Sequence, residues 1–156
     1  MRLIHTSLII ALSSGSVSVC ADSTDNAAIQ AFFENYVELS DAYDDKVADL
    51  YSDSAVIRGF RRYPHGLERS MELSGSQWKA LLVKAMPLAK AQADRSTFSD
   101  VEVSVTGTRA KIKANRYAVR KCYTDTGYYM VVERQPDGKY LIVEEYSETQ
   151  PQSNCQ

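Results

Sequence analysis

Only two histidines, one tryptophan, three cysteines and four prolines occur among the 156 residues. The scarcity of histidine and of cysteine each closes off a class of chemistry. His5 lies in the N-terminal apolar stretch and His65 in "RRYPHG", so no histidine pair or triad can form. Cys20, Cys122 and Cys155 are far apart and no CxxC occurs, so the spacing of a structural zinc site is missing. No metal or cofactor is expected. No apolar run reaches the roughly 20 residues of a membrane-spanning helix. Charge of either sign is also not in excess, with 18 basic against 20 acidic side chains. A net charge of −2 gives no electrostatic reason to expect nucleic acid or an anionic membrane as partner. Repeats, low-complexity tracts and interdomain linkers are absent, and the length suits one domain with a modest core.

The N-terminus reads as an export signal. Arg2 supplies the positive charge, Leu3 to Leu12 the apolar core, and "SSGSVSVCA" the small residues that precede cleavage after Ala21. Residues 1–21 are therefore expected to be removed, leaving a domain over residues 22–149 and a tail over 150–156. The location expected is the periplasm or the medium. A lipid anchor on Cys20 is the alternative, although Val19 is a poor residue before a lipidated cysteine. In an oxidising compartment the two remaining cysteines, Cys122 and Cys155, are expected to form a disulfide that pins the tail.

Residues 25–39 carry the clearest helical pattern, with Ile29, Phe32, Phe33, Tyr36 and Val37 on one apolar stripe and Thr24 or Asp25 as cap. "SDAYDDKVADLY" restarts that period from a Ser40 or Asp41 cap, with Tyr43, Val47, Leu50 and Tyr51 on one side. Its run of Asp41, Asp44, Asp45 and Asp49 reads as a solvated helix face rather than a catalytic cluster. "AVIRGF" is a short strand and "RRYPHGLERSMELSG" a loop. A third helix from Ser76 places Trp78, Leu81, Leu82, Ala85 and Met86 inward, and Pro87 ends or kinks it. From Phe98 onward the chain reads as strands, with turns at "TGT", "TDTG" and "QPDG". Helices followed by an antiparallel meander make an α+β domain.

"LYSDSAVI" and "DGKYLIVEEYS", in that order after an N-terminal helix, resemble the nuclear transport factor 2-like superfamily, which includes ketosteroid isomerase and the polyketide cyclase-like proteins. The resemblance spans residues 26–149. It implies a cone: a strongly curved antiparallel sheet wrapped around a long helix, with a cavity at its open end and often a homodimer through the other sheet face. Fold alone does not fix chemistry.

"YLIVEEYSE" then poses a question of phase. Adjacent glutamates in a strand point to opposite faces, so one of Glu144 and Glu145 looks inward. With Tyr140 and Ile142 as the inward set, Glu144 and Tyr146 face the cavity; the opposite phase, with Leu141 and Val143 inside, is equally apolar. An inward carboxylate needs a partner, and "NRYAVRK" offers Arg116 and Arg120 at one strand phase. A Glu–Arg pair there is either purely structural or a polar anchor for a ligand among aromatic walls. The candidate ligand-binding residues are Tyr36, Trp78, Arg116, Tyr128, Glu144 and Tyr146, for a small apolar or amphipathic molecule.

The enzyme reading is weaker. Arg58 and Gly59 stand where the resemblance would place a ketosteroid isomerase's aspartate base, and His65 lies in a loop. Arg58, Arg61, Arg62 and His65 read as a solvated basic loop near the cone's mouth. The function expected is binding of a small molecule or a protein partner without turnover. One alternative is an isomerase, hydratase or cyclase using Glu144, Tyr146 and Arg116; another is a homodimeric adaptor whose cavity is filled by side chains. N-terminal sequencing of the exported protein should begin at Asp22, and any other start refutes the cleavage site.

Overall fold

The computed structural model describes residues 23–150 and Cys155. The expected export signal, with its cleavage site, lies outside the described residues, as does most of the expected tail. The first helix, α1, spans Ser23–Asp41 and starts before Thr24 and Asp25, so neither is its cap. Its stripe works as the spacing predicts. Ile29 and Phe33 are buried, and Phe32, Tyr36 and Val37 pack around them. Complete burial of a side chain such as Ile29 stabilises the fold by about 1.5–3 kcal/mol.

The expected second helix is only a 3-10 turn, Asp45–Leu50, capped by Asp44, whose carboxylate accepts from the Lys46 N–H at 2.9 Å. Tyr43 does not continue a helical stripe; it takes a left-handed φ of 55°. The turn hands over to a long strand, β1 (Tyr51–Arg62), which extends well past "AVIRGF". The stretch read as a loop contains a second strand, β2 (Glu68–Ser74), paired antiparallel with β1. β2 is exposed at six of seven positions, so no hydrophobic alternation announces it.

Helix α2 spans Gly75–Ala91 behind a complete capping box, Ser74 with Gln77. Pro87 sits inside it and the helix runs on to Ala91. Trp78, Leu82, Met86 and Ala89 form its inner row, whereas Leu81 and Ala85 are exposed. The expected inner face is thus too wide, because α2 covers the sheet edge and cavity with one row of side chains only.

The remaining strands are β3 (Ser96–Thr106), β4 (Arg109–Ala118), β5 (Tyr123–Asp125), β6 (Tyr129–Arg134) and β7 (Tyr140–Thr149). The path through the sheet is β2-β1-β7-β6-β4-β3, with β5 paired to β4. All pairings are antiparallel except β1 with β7, so the sheet is mixed, curved and unclosed. Bulges assist the curvature. On β3 the register shifts between Ser99 and Glu102, where Asp100 takes a φ of 53°. The concave face buries Ile57, Ile112, Met130, Val132 and Ile142 against α1. Among the described residues no helix is long and apolar enough to cross a membrane.

Cys122, in a left-handed conformation after β4, is disulfide-bonded to Cys155. Gly75 marks the tightest approach of α2 to β1. A Cβ there would lie 1.8 Å from the Ser52 carbonyl oxygen. Gly75→Ala should therefore destabilise the protein by about 2–3 kcal/mol, read from urea unfolding; an unchanged midpoint would refute this packing.

Candidate functional site

A cavity of about 210 Å³ opens between α1, α2 and the concave face of the sheet. Its polar centre is Glu145, only 5% exposed. Three elements each aim a tyrosine hydroxyl at that carboxylate. Tyr36 of α1 donates to Oε1 at 3.2 Å, Tyr128 just before β6 donates to Oε1 at 2.9 Å, and Tyr51 at the start of β1 donates to Oε2 at 2.6 Å. Tyr36 arrives one helical turn after Phe33 on the apolar stripe. Tyr128 is delivered by a tight turn in which Asp125 Oδ1 accepts the Gly127 N–H at 2.9 Å.

The inward glutamate is Glu145, not Glu144. Tyr140 and Ile142 do face the core, but the alternation breaks at Val143. Val132 pairs with Ile142 and Val131 with Glu144, which leaves Val143 as an extra residue in β7. A one-residue bulge moves every later side chain to the other face. Glu145 and Ser147 consequently line the cavity. Glu144 lies on the outer face, held by the Tyr129 hydroxyl at 2.7 Å and by Arg58 at 2.9 Å. Tyr146 follows it outward, stacking on Tyr129 at 5.8 Å and donating to Glu148 at 2.8 Å.

Of the other residues singled out, Tyr36, Trp78, Arg116 and Tyr128 do line the cavity. Arg116 does not pair with Glu144. Its Nη2 donates to the Glu148 carbonyl at 2.7 Å and lies 3.7 Å from Asp125 Oδ2, while Nη1 donates to Ser96 Oγ at 3.3 Å. Asp125 is fully buried and also accepts the Glu148 N–H at 2.6 Å. Arg116 and Asp125 thus clasp the end of β7 from both its carbonyl and its N–H. Arg120 leaves the strand in a 3-10 turn and pairs with Asp94 at 3.6 Å. Arg58 pairs with Glu72 and Glu144, Arg62 with Glu68, and the His65 ring lies tilted against Tyr63 in the β1–β2 hairpin. Tyr51 and Asp125 are the residues that the sequence reading misses, and Glu145 is the one of the two adjacent glutamates that it places second.

Burial pushes the Glu145 carboxyl above its usual range, and the donors Tyr51, Tyr128 and Tyr36 together with the Arg116 charge pull it part of the way back. Burial, then the Glu145 charge, raises all three tyrosines, so their hydroxyls stay protonated as fixed donors. Two further donors at this site lack acceptors among the described residues: Trp78 Nε1 and Arg116 Nε are buried without a hydrogen-bond partner there. The Trp78 ring meets Tyr51 edge-on at 6.4 Å, and its N–H favours the ionised form of the Tyr51 hydroxyl without closing a hydrogen bond. Among the described residues no group of three or more His, Cys, Asp or Glu side chains could hold a metal ion.

No protein-family model matches the chain, and no curated protein matches it. Solved structures do. An NTF2-like protein of unknown function from Pseudomonas putida KT2440 superposes with a TM-score of 0.60 at 15% identity, covering 81% of this chain and 87% of that one. A proposed ketosteroid isomerase from Parabacteroides distasonis gives 0.55 at 15% identity over 86% and 92%. A proposed dehydratase of the NTF2-like family from Streptomyces avermitilis gives 0.53 at 18% identity over 81% and 96%. The chain has the nuclear transport factor 2-like fold, an α+β cone shared by proteins named as enzymes and by others of unknown function.

The raised Glu145 pKa fixes a pH dependence. Between the ordinary carboxylate pKa, about 4.3, and the higher folded value, the folded protein holds a proton that the unfolded chain has lost. Stability therefore falls as pH rises through that window. The stability difference between wild type and Glu145→Gln, from urea unfolding at a series of pH values, should shift against the wild type as pH rises from 4; a constant or opposite difference would refute it.

Proposed function

We propose that this chain is an exported small-molecule-binding protein whose ligand occupies the cavity over Glu145 and is not turned over. The observation that carries the reading is the pair of buried donors that lack partners among the described residues, Trp78 Nε1 and Arg116 Nε, on residues that line the cavity. A buried donor without an acceptor costs about 1–3 kcal/mol, and a ligand acceptor would recover that loss. The walls support the same reading, because Ile57, Leu82, Met86 and Phe98 set apolar surface among the polar groups of Glu145, Arg116 and the tyrosines. An open cavity disfavours the filled-cavity adaptor. The dimer implied by the family resemblance belongs to the proposal too, through the outer sheet face.

Acid–base chemistry is the second reading, favoured by the raised pKa of Glu145. Its weakness is geometric. Three hydroxyls already donate to that carboxylate, which lowers its basicity, and the earlier candidates Glu144 and Tyr146 sit on the opposite face.

The single tryptophan offers a direct test. Uniformly ¹⁵N-labelled protein gives one indole N–H resonance, from Trp78. Titration with a panel of small hydroxyl- and carbonyl-bearing molecules should move it saturably for some members, and native mass spectrometry should find a 1:1 adduct in protein recovered from the exported fraction. An indole signal that never shifts, with only ligand-free protein in the spectrometer, refutes the reading. Conversion of a bound molecule to product would transfer the case to the enzyme.

A further inference from the structure

The two ends of the cavity differ in what they leave unsatisfied, and together they define a ligand. At the buried end, Glu145 Oε1 accepts from two tyrosines but Oε2, among the described residues, from Tyr51 alone. A carboxylate oxygen has room for two donors, so Oε2 can take one more. Beside Tyr51 stands the Trp78 indole N–H, which lacks an acceptor. An acceptor with room for a further donor and a donor without a closed hydrogen bond, both on neighbours of Tyr51, match a hydroxyl group, which donates once and accepts as well.

At the exposed end the residues are Asp94, Arg95 and Ser96, where the chain passes from α2 into β3. Neighbouring groups account for two of the three. Asp94 faces Arg120 at 3.6 Å, and Ser96 Oγ accepts from Arg116 at 3.3 Å. Arg116 in turn is balanced by Asp125. Arg95 is exposed and lines the cavity, and among the described residues its guanidinium has no ion-pair partner. Its backbone is fixed, because the Arg95 carbonyl accepts the Val119 N–H at 3.1 Å. A tethered, unopposed guanidinium at the opening suits a planar carboxylate, which it can bind through two parallel bonds.

The body between these ends must be apolar and small. A volume of about 210 Å³ is the share of roughly seven waters, or on the order of ten closely bonded non-hydrogen atoms. Resting on the binding reading above, we infer that the ligand is a compact hydroxy acid of aryl-ring size. Its uncharged hydroxyl sits between Glu145 and Trp78, its apolar body lies against Phe98, Leu82 and Met86, and its carboxylate meets Arg95 at the mouth.

The test uses 4-hydroxybenzoate as probe on the disulfide-bonded protein, read by calorimetry and by the Trp78 indole resonance. It should bind 1:1 and at least tenfold more tightly than benzoate, which lacks the hydroxyl, and than its methyl ester, which lacks the charge. Arg95→Gln, an exposed substitution that leaves the core intact, should weaken 4-hydroxybenzoate at least fivefold and leave phenol unchanged. Trp78→Phe, which removes the N–H, should weaken phenol and 4-hydroxybenzoate alike. Equal binding of benzoate, an Arg95→Gln protein with full affinity, or tighter binding of tetramethylammonium than of phenol would each overturn the assignment. A cavity that holds a ligand of another class sinks this inference alone; a Trp78 signal that no small molecule moves sinks the binding reading with it.

Discussion

A carboxylate taken out of water dominates the interior. Transfer of an ionised carboxyl to a low-dielectric site is tolerated only when hydrogen bonds or countercharge replace the lost hydration. Glu145 obtains its replacement from three hydroxyls on α1, β1 and the approach to β6. Those tyrosines come from positions 36, 51 and 128, far apart in the chain, so the polar cluster exists only when helix and sheet have docked. The cluster therefore couples the fold to the cavity. The elements that bury the core also hold the acid's environment in place, and none can shift without leaving a buried group unpaired.

Around this centre, charges sort into two systems on opposite faces of the sheet. Inside, Glu145 has its tyrosines and Arg116 has Asp125. Outside, Glu144, Arg58 and Glu72 form a half-exposed chain with Tyr129, over whose ring Lys111 places its ammonium at 3.8 Å. Exposed pairs of this sort contribute about 0–1 kcal/mol each, so the outer network says more about surface character than about stability. The inner groups are few and individually consequential.

How far the sequence discloses all this depends on whether a local pattern survives the three-dimensional arrangement. The stripe of α1 is legible because a helix buried on one side imposes its period on residues 29–37. The β3–β4 and β6–β7 hairpins are legible through their Gly, Asp and Pro residues, whereas the reversal after β4 falls at Val119–Cys122 and not at "TDTG", which joins two strands that both pair with β4; the order of motifs points to the cone. Strand β2 escapes notice because it lies exposed at the sheet's edge, and Leu81 misleads because α2 buries only one row. The site is legible in type but not in register. Tyr36, Trp78, Arg116 and Tyr128 can be chosen as aromatic or charged residues near the cavity, whereas the choice between Glu144 and Glu145 hangs on one extra residue, Val143. Nothing in "LIVEE" marks that bulge, since all three aliphatic residues suit either face. Asp125 is hidden for another reason: in "TDTG" it looks like an ordinary turn aspartate, and only the fold brings it to Arg116.

The bridge between Cys122 and Cys155 closes a ring with a sequence separation of 33. Within that ring lie β5, β6 and β7, and with them Asp125, Tyr128, Glu145 and the Glu148 backbone that Arg116 grips. In the loop-entropy account a closure of this length disfavours the unfolded chain by about 4 kcal/mol. The covalent tie thus falls on the cavity floor rather than on its helical lid. Partial unravelling of the C-terminal strands, which would flood the acid with solvent, is held back most strongly in the oxidised form.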